Sequence, residues 1–514
     1  MKKYNKYLLM LCGAGLMTLS SCHLDEEPAT AYSYDSRKPL ITSVTELEHF
    51  TNALHGNFRS TFYGVMSQAS EVMCDAFNAS RGFGNNYGAL HVGGTELTAE
   101  NEEVTSFWGS YYGAIKDYNL YIQYADTFAV HNPNYKADVD LGLGYAHFYR
   151  AYSYLQLVRH FAKAYDASTA AKDLGVPVVT VYDQKAQPKR NTVKEVYAQI
   201  KKDLDFAAAK LVAVEGAVRS KVPTIDAVNA LYARYYLDIK DYTNAASCAS
   251  KVINSAAGYA LADAPESMLK EYRNDNGTEP IMQMAGAVLE NGAGTNTLYT
   301  MWRNNASWGK AGYTPNGNFF QSYYLPTKKL VDAYGNSDLR RATWLTMDYM
   351  TFFSGSYYRM PNVFYTFVKY FGNMALTADA ITPNARQLVK PFMIGEMYLI
   401  AAEANCQLGN TTDAETALNT LQEARGANAT SATLANIKNE WFKETVGEGL
   451  RMSCLKRWGD GFAGRTPQAT AKAMVMPQDY FLKKSMSATD TRWVWPIPAY
   501  ERKVNPNLEQ NPGY

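Results

Sequence analysis

The chain has 514 residues and a formal net charge of +1, with acids and bases mixed along its length. That argues against nucleic-acid binding, which asks for a basic patch or stripe, and the length is enough for two or three domains. After residue 40 no Pro/Gly/Ser-rich linker or charge block interrupts it, so one compact unit of two intertwined halves, about 41–257 and 258–514, is expected. The unusual counts are aromatic: 39 Tyr, 21 Phe and 8 Trp. A tyrosine has a flat apolar face and a polar tip, which suits recognition surfaces and large cores alike.

Lys2, Lys3 and Lys6 form a basic head, and residues 7–19 form an apolar run. The run is shorter than the roughly 20 residues of a membrane span, so residues 1–21 read as a secretory signal. Leu19-Ser20-Ser21-Cys22 resembles the modification site of bacterial lipoprotein precursors, where the cysteine takes a diacylglycerol and becomes the new N-terminus. Only a thiol supplies the nucleophile for that thioether. An ordinary cleaved signal with an incidental cysteine is the alternative. Asp25, Glu26, Glu27 and Pro28 resemble the acidic export tags of Bacteroidetes surface lipoproteins, although a solvated acidic linker would look the same. Residues 22–40 read as a lipidated terminus and spacer. Cys12 leaves with the signal. Cys74, Cys248, Cys406 and Cys454 remain, without metal-ligand spacing and with no disulfide pattern of their own.

Helical spacing then begins, with Val44, Leu47, Phe50, Leu54 and Phe58 on one stripe. The Gly- and Asn-rich stretch 78–94 reads as a loop. Helices follow over about 104–124 and 138–161, the second carrying Phe148, Tyr152, Leu155 and Val158. Thr192 with Glu195 predicts a capping box at the start of the next helix. Residues 225–253 read as two helices broken at Lys240-Asp241, with small residues such as Ala245 where they would touch. This is the spacing of a tetratricopeptide repeat. A second such pair spans 393–421, turned at Gly409-Asn410, with Thr412 and Glu415 as a further predicted capping box. Such pairs cannot bury their faces alone and must stack. Between about 258 and 391 the helical period fades into Gly, Asn and aromatics, which predicts ordered, loop-rich lobes on a helical frame.

The tail is the most specific stretch. Trp495-Pro496-Ile497-Pro498, Glu501, Asn505-Pro506-Asn507-Leu508 and Gln510-Asn511-Pro512-Gly513-Tyr514 resemble the terminal signature of the SusD/RagB family, nutrient-binding lipoproteins of the Bacteroidetes outer surface. Glu448-Gly449-Leu450-Arg451 and Leu455-Lys456-Arg457-Trp458-Gly459 are similar to its Glu-Gly-x-Arg and Arg-Trp-Gly blocks. Arg150-Ala151, Tyr154, Leu157 and Gly175-Val176-Pro177 are similar to its first long helix and turn, and Glu396-Met397-Tyr398-Leu399 with Ala402-Glu403-Ala404 to its late repeat helix. Trp441, Gly447 and Cys454 depart from the usual Arg, aromatic and Asp. With the lipidation site included, the resemblance covers essentially the whole chain. It implies a mainly α fold over 41–514, a tetratricopeptide-like helical array with irregular lobes. It also implies a partner, a TonB-dependent SusC-like outer-membrane transporter, and a place on the outer membrane facing the exterior. It picks out no ligand residues.

The residues themselves offer little catalysis. The seven histidines form no metal-binding spacing, and no nucleophile elbow or phosphate loop appears. Asn274, Asp275, Asn276 and Glu279 are oxygen-rich, but their spacing is that of a turn and not of an EF-hand. No cofactor and no enzyme activity are expected. For binding, loop aromatics with polar neighbours are the candidates, because a sugar ring lays an apolar face on an aromatic ring while its hydroxyls seek Asn or Arg. Arg81, Phe83, Asn86 and Tyr87 form one such cluster, and Tyr299, Trp302, Arg303, Trp308 and Tyr313 another. Core packing is an equally fitting role for any one of them, whereas Trp108 and Trp458 are assigned to packing. Glycan capture is the first reading. A peptide ligand of the RagB kind and a tetratricopeptide scaffold that binds only protein are the alternatives.

Overall fold

The computed structural model describes residues 39–62, 64–93, 96–286, 304–306, 319–348, 351–353, 357–359, 364–370, 372–376, 387–476 and 485–514. Cys22, the signal and all of the spacer before Pro39 lie outside them. The chain is mainly helical. The first half carries α1 (Val44–Ser60), α2 (Val65–Val72), β1 (Phe77–Ala79), α3 (Gly88–Val92), α4 (Glu102–His131), α5 (Lys136–Phe161), α6 (Val193–Lys210), α7 (Ile225–Asp238) and α8 (Tyr242–Ile253). The second half opens with α9 (Pro265–Arg273), β2 (Pro280–Met282), β3 (Asn304–Ala306), β4 (Phe319–Gln321) and β5 (Tyr324–Pro326). It continues through α10 (Lys328–Ala333), α11 (Leu339–Thr343), β6 (Leu345–Asp348), β7 (Thr351–Phe353), β8 (Tyr357–Arg359), β9 (Phe364–Phe367) and β10 (Phe392–Met393). It closes with α12 (Ile394–Leu408), α13 (Thr411–Ala424), α14 (Leu434–Glu444), α15 (Arg451–Trp458) and α16 (Ala499–Val504).

Successive helices α4 to α8 pack each on the next, and α8 then packs on α12, which packs on α13. The frame is therefore one stacked helical array, and everything between α8 and α12 is an excursion from it. Local signals explain the ends. Ser43 and Thr192 each form the reciprocal capping box, with Glu46 and Glu195. Lys240, at φ 62°, makes the break between α7 and α8, and Asp241 caps α8 through the Asn244 N–H. Gly409, at φ 78°, turns α12 into α13 as a left-handed C-cap.

Three expectations are corrected. The Thr412–Glu415 box does not form, because α13 begins at Thr411 with Asn410 at its cap, so Thr412 is already helical. α4 runs on to His131 because Ala125, Phe128 and Ala129 continue its buried stripe. Within 78–94, β1 and the short helix α3 replace part of the loop; β1 exists through a partner, β5, far along the chain. The helix α5 also buries nearly all of its surface from Gly142 to Phe161, and not one face. A helix apolar on all sides is an interior one. Its charges are paired there: Arg150 reaches both oxygens of Asp203, at 3.0 and 2.6 Å, and Arg159 does the same with Asp238.

Distant parts of the chain interlock. Arg451 grips Asp75 with two bonds of 2.9 Å, Arg465 donates to the Cys74 and Met73 carbonyls, and Ser70 Oγ donates to the Gly449 carbonyl. Gly449 has φ +74°, and a Cβ there would stand 3.0 Å from the Ser67 carbonyl, so the close approach requires glycine. Arg190 donates to the Glu509 carbonyl, and Asn511 holds the carbonyls of Phe161 and Trp495. The four cysteines Cys74, Cys248, Cys406 and Cys454 are free.

Glu71 lies at this junction, fully buried, with Oε1 accepting the Gly449 N–H at 3.1 Å. Burial pushes its carboxyl up to about 7. A carboxyl raised in the folded state adds stability below its unfolded value near 4.5 and loses it as pH rises towards 7. Glu71→Gln keeps an acceptor for Gly449 and carries no charge. Its melting temperature relative to the parent is expected to climb between pH 5 and pH 7 and then level off. A difference constant across that range would mean that Glu71 does not titrate there.

Candidate functional site

Beside the array, the excursion forms a lobe of short antiparallel ribbons. β1 pairs with β5, β3 with β4, β6 with β9 and β7 with β8. β5 adjoins β9, and β4 adjoins β7. The Arg81–Tyr87 segment leaves β1 at the edge of this lobe. Ser80 fixes its start: the N–H donates to the Tyr323 carbonyl at 2.9 Å and the hydroxyl to the Ser322 carbonyl at 2.6 Å. Arg81 donates its N–H to the Met474 carbonyl (2.8 Å) and Nε to the Ala473 carbonyl (2.7 Å).

The turn itself follows from its small and amide residues. Gly84, Asn85 and Tyr87 all have positive φ, between 55° and 59°, a region glycine and asparagine enter readily. Tyrosine does so less readily, and its position is secured by the bonds around it. Asn86 returns its N–H and side-chain amide to the Phe83 carbonyl, and the Tyr324 hydroxyl donates to the Asn86 carbonyl at 2.7 Å. Gly88 leaves room for the Asn85 side chain, whose oxygen would stand 2.0 Å from a Cβ there and would have to move aside. His91 closes the rear. Its Nε2 accepts the Ala79 N–H, so Nδ1 carries the proton and donates to the Val72 carbonyl at 2.7 Å. Burial holds that imidazole well below its usual range, hence neutral.

The structure sorts the first cluster of candidates. Arg81 and Asn86 are exposed, and Tyr87 is half-buried. Burial pushes the Tyr87 phenol up to about 12, with Glu103 adding to it. Phe83 is 6% exposed and packs edge-on to Tyr324, so it is a packing residue and offers no face to a ligand. Tyr299, Trp302, Arg303, Trp308 and Tyr313 lie outside the described residues. Their flanking backbone does not: β3 begins immediately after Arg303, β4 pairs with it, and the residues just past β4 hold Ser80. The described strands β3 and β4, and the Ser322 and Tyr323 carbonyls after them, therefore adjoin the start of the Arg81–Tyr87 segment at Ser80. The third wall, Ala473 to Val475, was invisible in the sequence because it contributes backbone carbonyls, which have no residue signature. Trp108 is buried, and Trp458 donates to Glu403 at 2.8 Å. Among the described residues no His, Cys, Asp or Glu group of three or more gathers for a metal. Asp275 is taken up by Lys390, Asn373 and the Leu388 N–H. No described helix is long and apolar enough to cross a membrane.

Comparison with known proteins adds to this geometry. Residues 278–514 match the model of the SusD family, and residues 23–237 match a model described as starch-binding, associating with outer membrane. No curated protein matches the sequence. A SusD superfamily protein from Bacteroides thetaiotaomicron superposes with a TM-score of 0.72 at 22% identity, over 91% of this chain and 99% of its own. The surface glycan-binding protein A of Bacteroides fluxus gives 0.68 at 21%, over 92% of this chain and 100% of its own. A laminarin binding SusD-like protein gives 0.68 at 19%, with the same coverage. At such identities these likenesses establish a shared fold.

Proposed function

The chain belongs to the SusD family, and from that premise we propose that it captures glycans at the outer membrane and passes them to a TonB-dependent SusC-like transporter. In this reading residues 1–21 direct export, Cys22 carries the lipid, 22–40 form the tether, and 41–514 form the binding unit with halves near 41–257 and 258–514. The anchor holds the protein on the exterior face. It binds and releases without turnover and needs no cofactor.

The observation that carries the reading is the shared corner of the lobe, where the Arg81–Tyr87 turn and the ribbon flanking Trp302 and Trp308 are tied to the same backbone. Two relatives of this fold are described as glycan-binding and laminarin-binding. A sugar's C–H face would lie on the rings of Trp302, Trp308, Tyr299, Tyr313 or Tyr87, while Arg81, Asn86 and Arg303 meet its hydroxyls. Rings of this kind are the residues that dominate binding energies, and a loss of about 1.4 kcal/mol is tenfold in affinity.

The test is binding of the purified protein to a panel of polysaccharides, oligosaccharides and peptide mixtures. Saturable binding to a glycan is expected, weakened about tenfold or more by Trp302→Ala or Trp308→Ala and less by Arg81→Ala. Binding to peptides alone would overturn the glycan reading and favour a RagB-like role. Glycan binding that ignores all three variants would remove the site from this corner.

A further inference from the structure

The helical array has two ends, and the chain enters it at one of them. α1 runs parallel to α5: His55 stands beside Tyr145 at 5.0 Å between ring centres, Phe58 beside Tyr149 at 4.2 Å and Phe62 beside Tyr152 at 5.2 Å. It runs antiparallel to α4, with Asn57 bonded to Asp117 and Thr51 to Tyr121. The first residues of α1, and Pro39 to Ser43 just before them, therefore lie with the start of α5 and the finish of α4. α6 finishes there too, because Lys210 meets Asp140 at 3.0 Å and Leu211 lies against Gly144. The opposite end carries α16, where the Ala499 N–H donates to the Ala99 carbonyl at 2.8 Å, just before α4 begins.

Apolar side chains stand in water at the end where the chain enters. Among the described residues nine large hydrophobic side chains are exposed, and four of them belong here. Val130, 78% exposed, is the residue before the last of α4, and Leu141 is in the second turn of α5. Val212, 67% exposed, and Val214 come just past α6. Single exposed hydrophobics are ordinary, whereas several at one place mark a surface that something covers. The charges around them are mixed: Lys136 and Lys210 share Asp140, and His131, Asp138 and Glu215 are exposed. Sixteen residues, 23–38, separate Cys22 from Pro39. A flexible chain of that length has a root-mean-square span of about 20–24 Å. α4, with 30 residues, is about 45 Å long at 1.5 Å per residue, so an anchor at Cys22 keeps this end of the array nearer the membrane than the other.

We propose that this end of the array rests on the lipid bilayer that holds the anchor, with Val130, Leu141, Val212 and Val214 seated among the headgroups. The inference rests on the lipidation of Cys22 in the function proposed above. Apolar surface leaves water in proportion to its area, and shallow insertion of this kind needs no membrane-spanning helix. The acyl anchor retains the protein, and the four side chains orient it. α4 and α5 then stand away from the bilayer, with α16 at the far end. A bilayer is favoured over a second copy of the chain because the anchor brings it within reach of this end in every molecule, at any protein concentration.

The experiment places the lipidated protein in vesicles of phosphatidylethanolamine and phosphatidylglycerol, with one nitroxide at a time introduced through Val130→Cys, Val212→Cys or Tyr500→Cys. A Cys406→Ser background removes the half-buried native thiol, since Cys74, Cys248 and Cys454 are buried. Spin-label saturation is measured with oxygen, which partitions into lipid, and with a nickel chelate, which stays in water. Relative to unanchored protein beginning at His23, the oxygen-to-nickel ratio should rise severalfold at 130 and 212. It should not change at Tyr500, which is 65% exposed at the far end. Val212→Glu together with Val214→Glu should cancel the rise at 130 and leave the melting temperature unchanged, because both side chains are exposed. Water-like ratios at 130 and 212 in the anchored protein overturn the proposal, as does an equal rise at 500. A label shielded from both reagents also overturns it, and would mean that protein covers this end. Intact mass reads the anchor separately: without a diacylglycerol on Cys22 the lipoprotein reading fails and this inference falls with it, whereas water-like labels on a lipidated chain remove this inference alone.

Discussion

Arg425→Ala is expected to destabilise the protein by about 3–5 kcal/mol, the range for removing one partner of a buried ion pair. Arg425 is 1% exposed and joins three separate stretches. It meets Glu279 at 2.7 Å before β2, Glu444 at 2.5 Å at the end of α14, and the Ala262 carbonyl at 2.7 Å. Arg340, fully buried, meets the same Glu444 at 2.8 Å and also Glu440 and Asp338. Against burial, which raises it, Arg425 and Arg340 together hold the Glu444 carboxyl down at about 2. A depressed carboxyl stabilises the fold above its unfolded value near 4.5, and that contribution is lost as pH falls towards 2. The deficit of Arg425→Ala should therefore be full at pH 7 and shrink below about pH 4.5. Urea unfolding at several pH values reads both features, and a deficit under about 1 kcal/mol at pH 7 would show the network to be dispensable.

Trp495→Ala should cost a similar amount, about 3–5 kcal/mol, as for other large core truncations. Trp495 is wholly buried, with Phe107 at 5.1 Å, His160 at 4.7 Å and Phe161 at 5.9 Å around its ring. Its backbone is tied as well, the N–H to the His160 carbonyl and the carbonyl to Asn511. Trp495→Phe keeps the ring contacts and should recover most of the loss. If the alanine variant melts within a degree or two of the parent, the tail is an appendage and not part of the core.

The helical array was legible because its signals are local. Thr192 and Glu195 are three residues apart, and the stripe Val193, Val196, Ile200 and Leu204 repeats within one helix. The tail blocks were legible by resemblance, and the structure gives their reason: Trp495 is core, Arg451 pairs with Asp75, and Arg457 and Trp458 both hold Glu403. What stayed illegible depends on partners far along the chain. β1 needs β5, and Arg425 needs Glu279 and Glu444, none of which is marked by spacing. For the candidate site, the turn chemistry of Gly84 to Gly88 could be read, but the burial of Phe83 could not, because a Phe in a Gly-rich loop looks the same facing in or out.

The interlock of early and late residues also sets a clock. Asp75 is separated from Arg451 by 376 residues, about 20–75 s of translation at roughly 5–20 residues per second. Until Arg451 and Gly449 emerge, Asp75 has only Lys329 and Glu71 lacks the N–H that its Oε1 accepts, and until Trp495 emerges the pocket of Phe107 and His160 is open. Contacts of such long separation make for slow folding. The early helices can stack on their sequence neighbours during synthesis, but the junction that joins them to the tail closes only when almost the last residue is made.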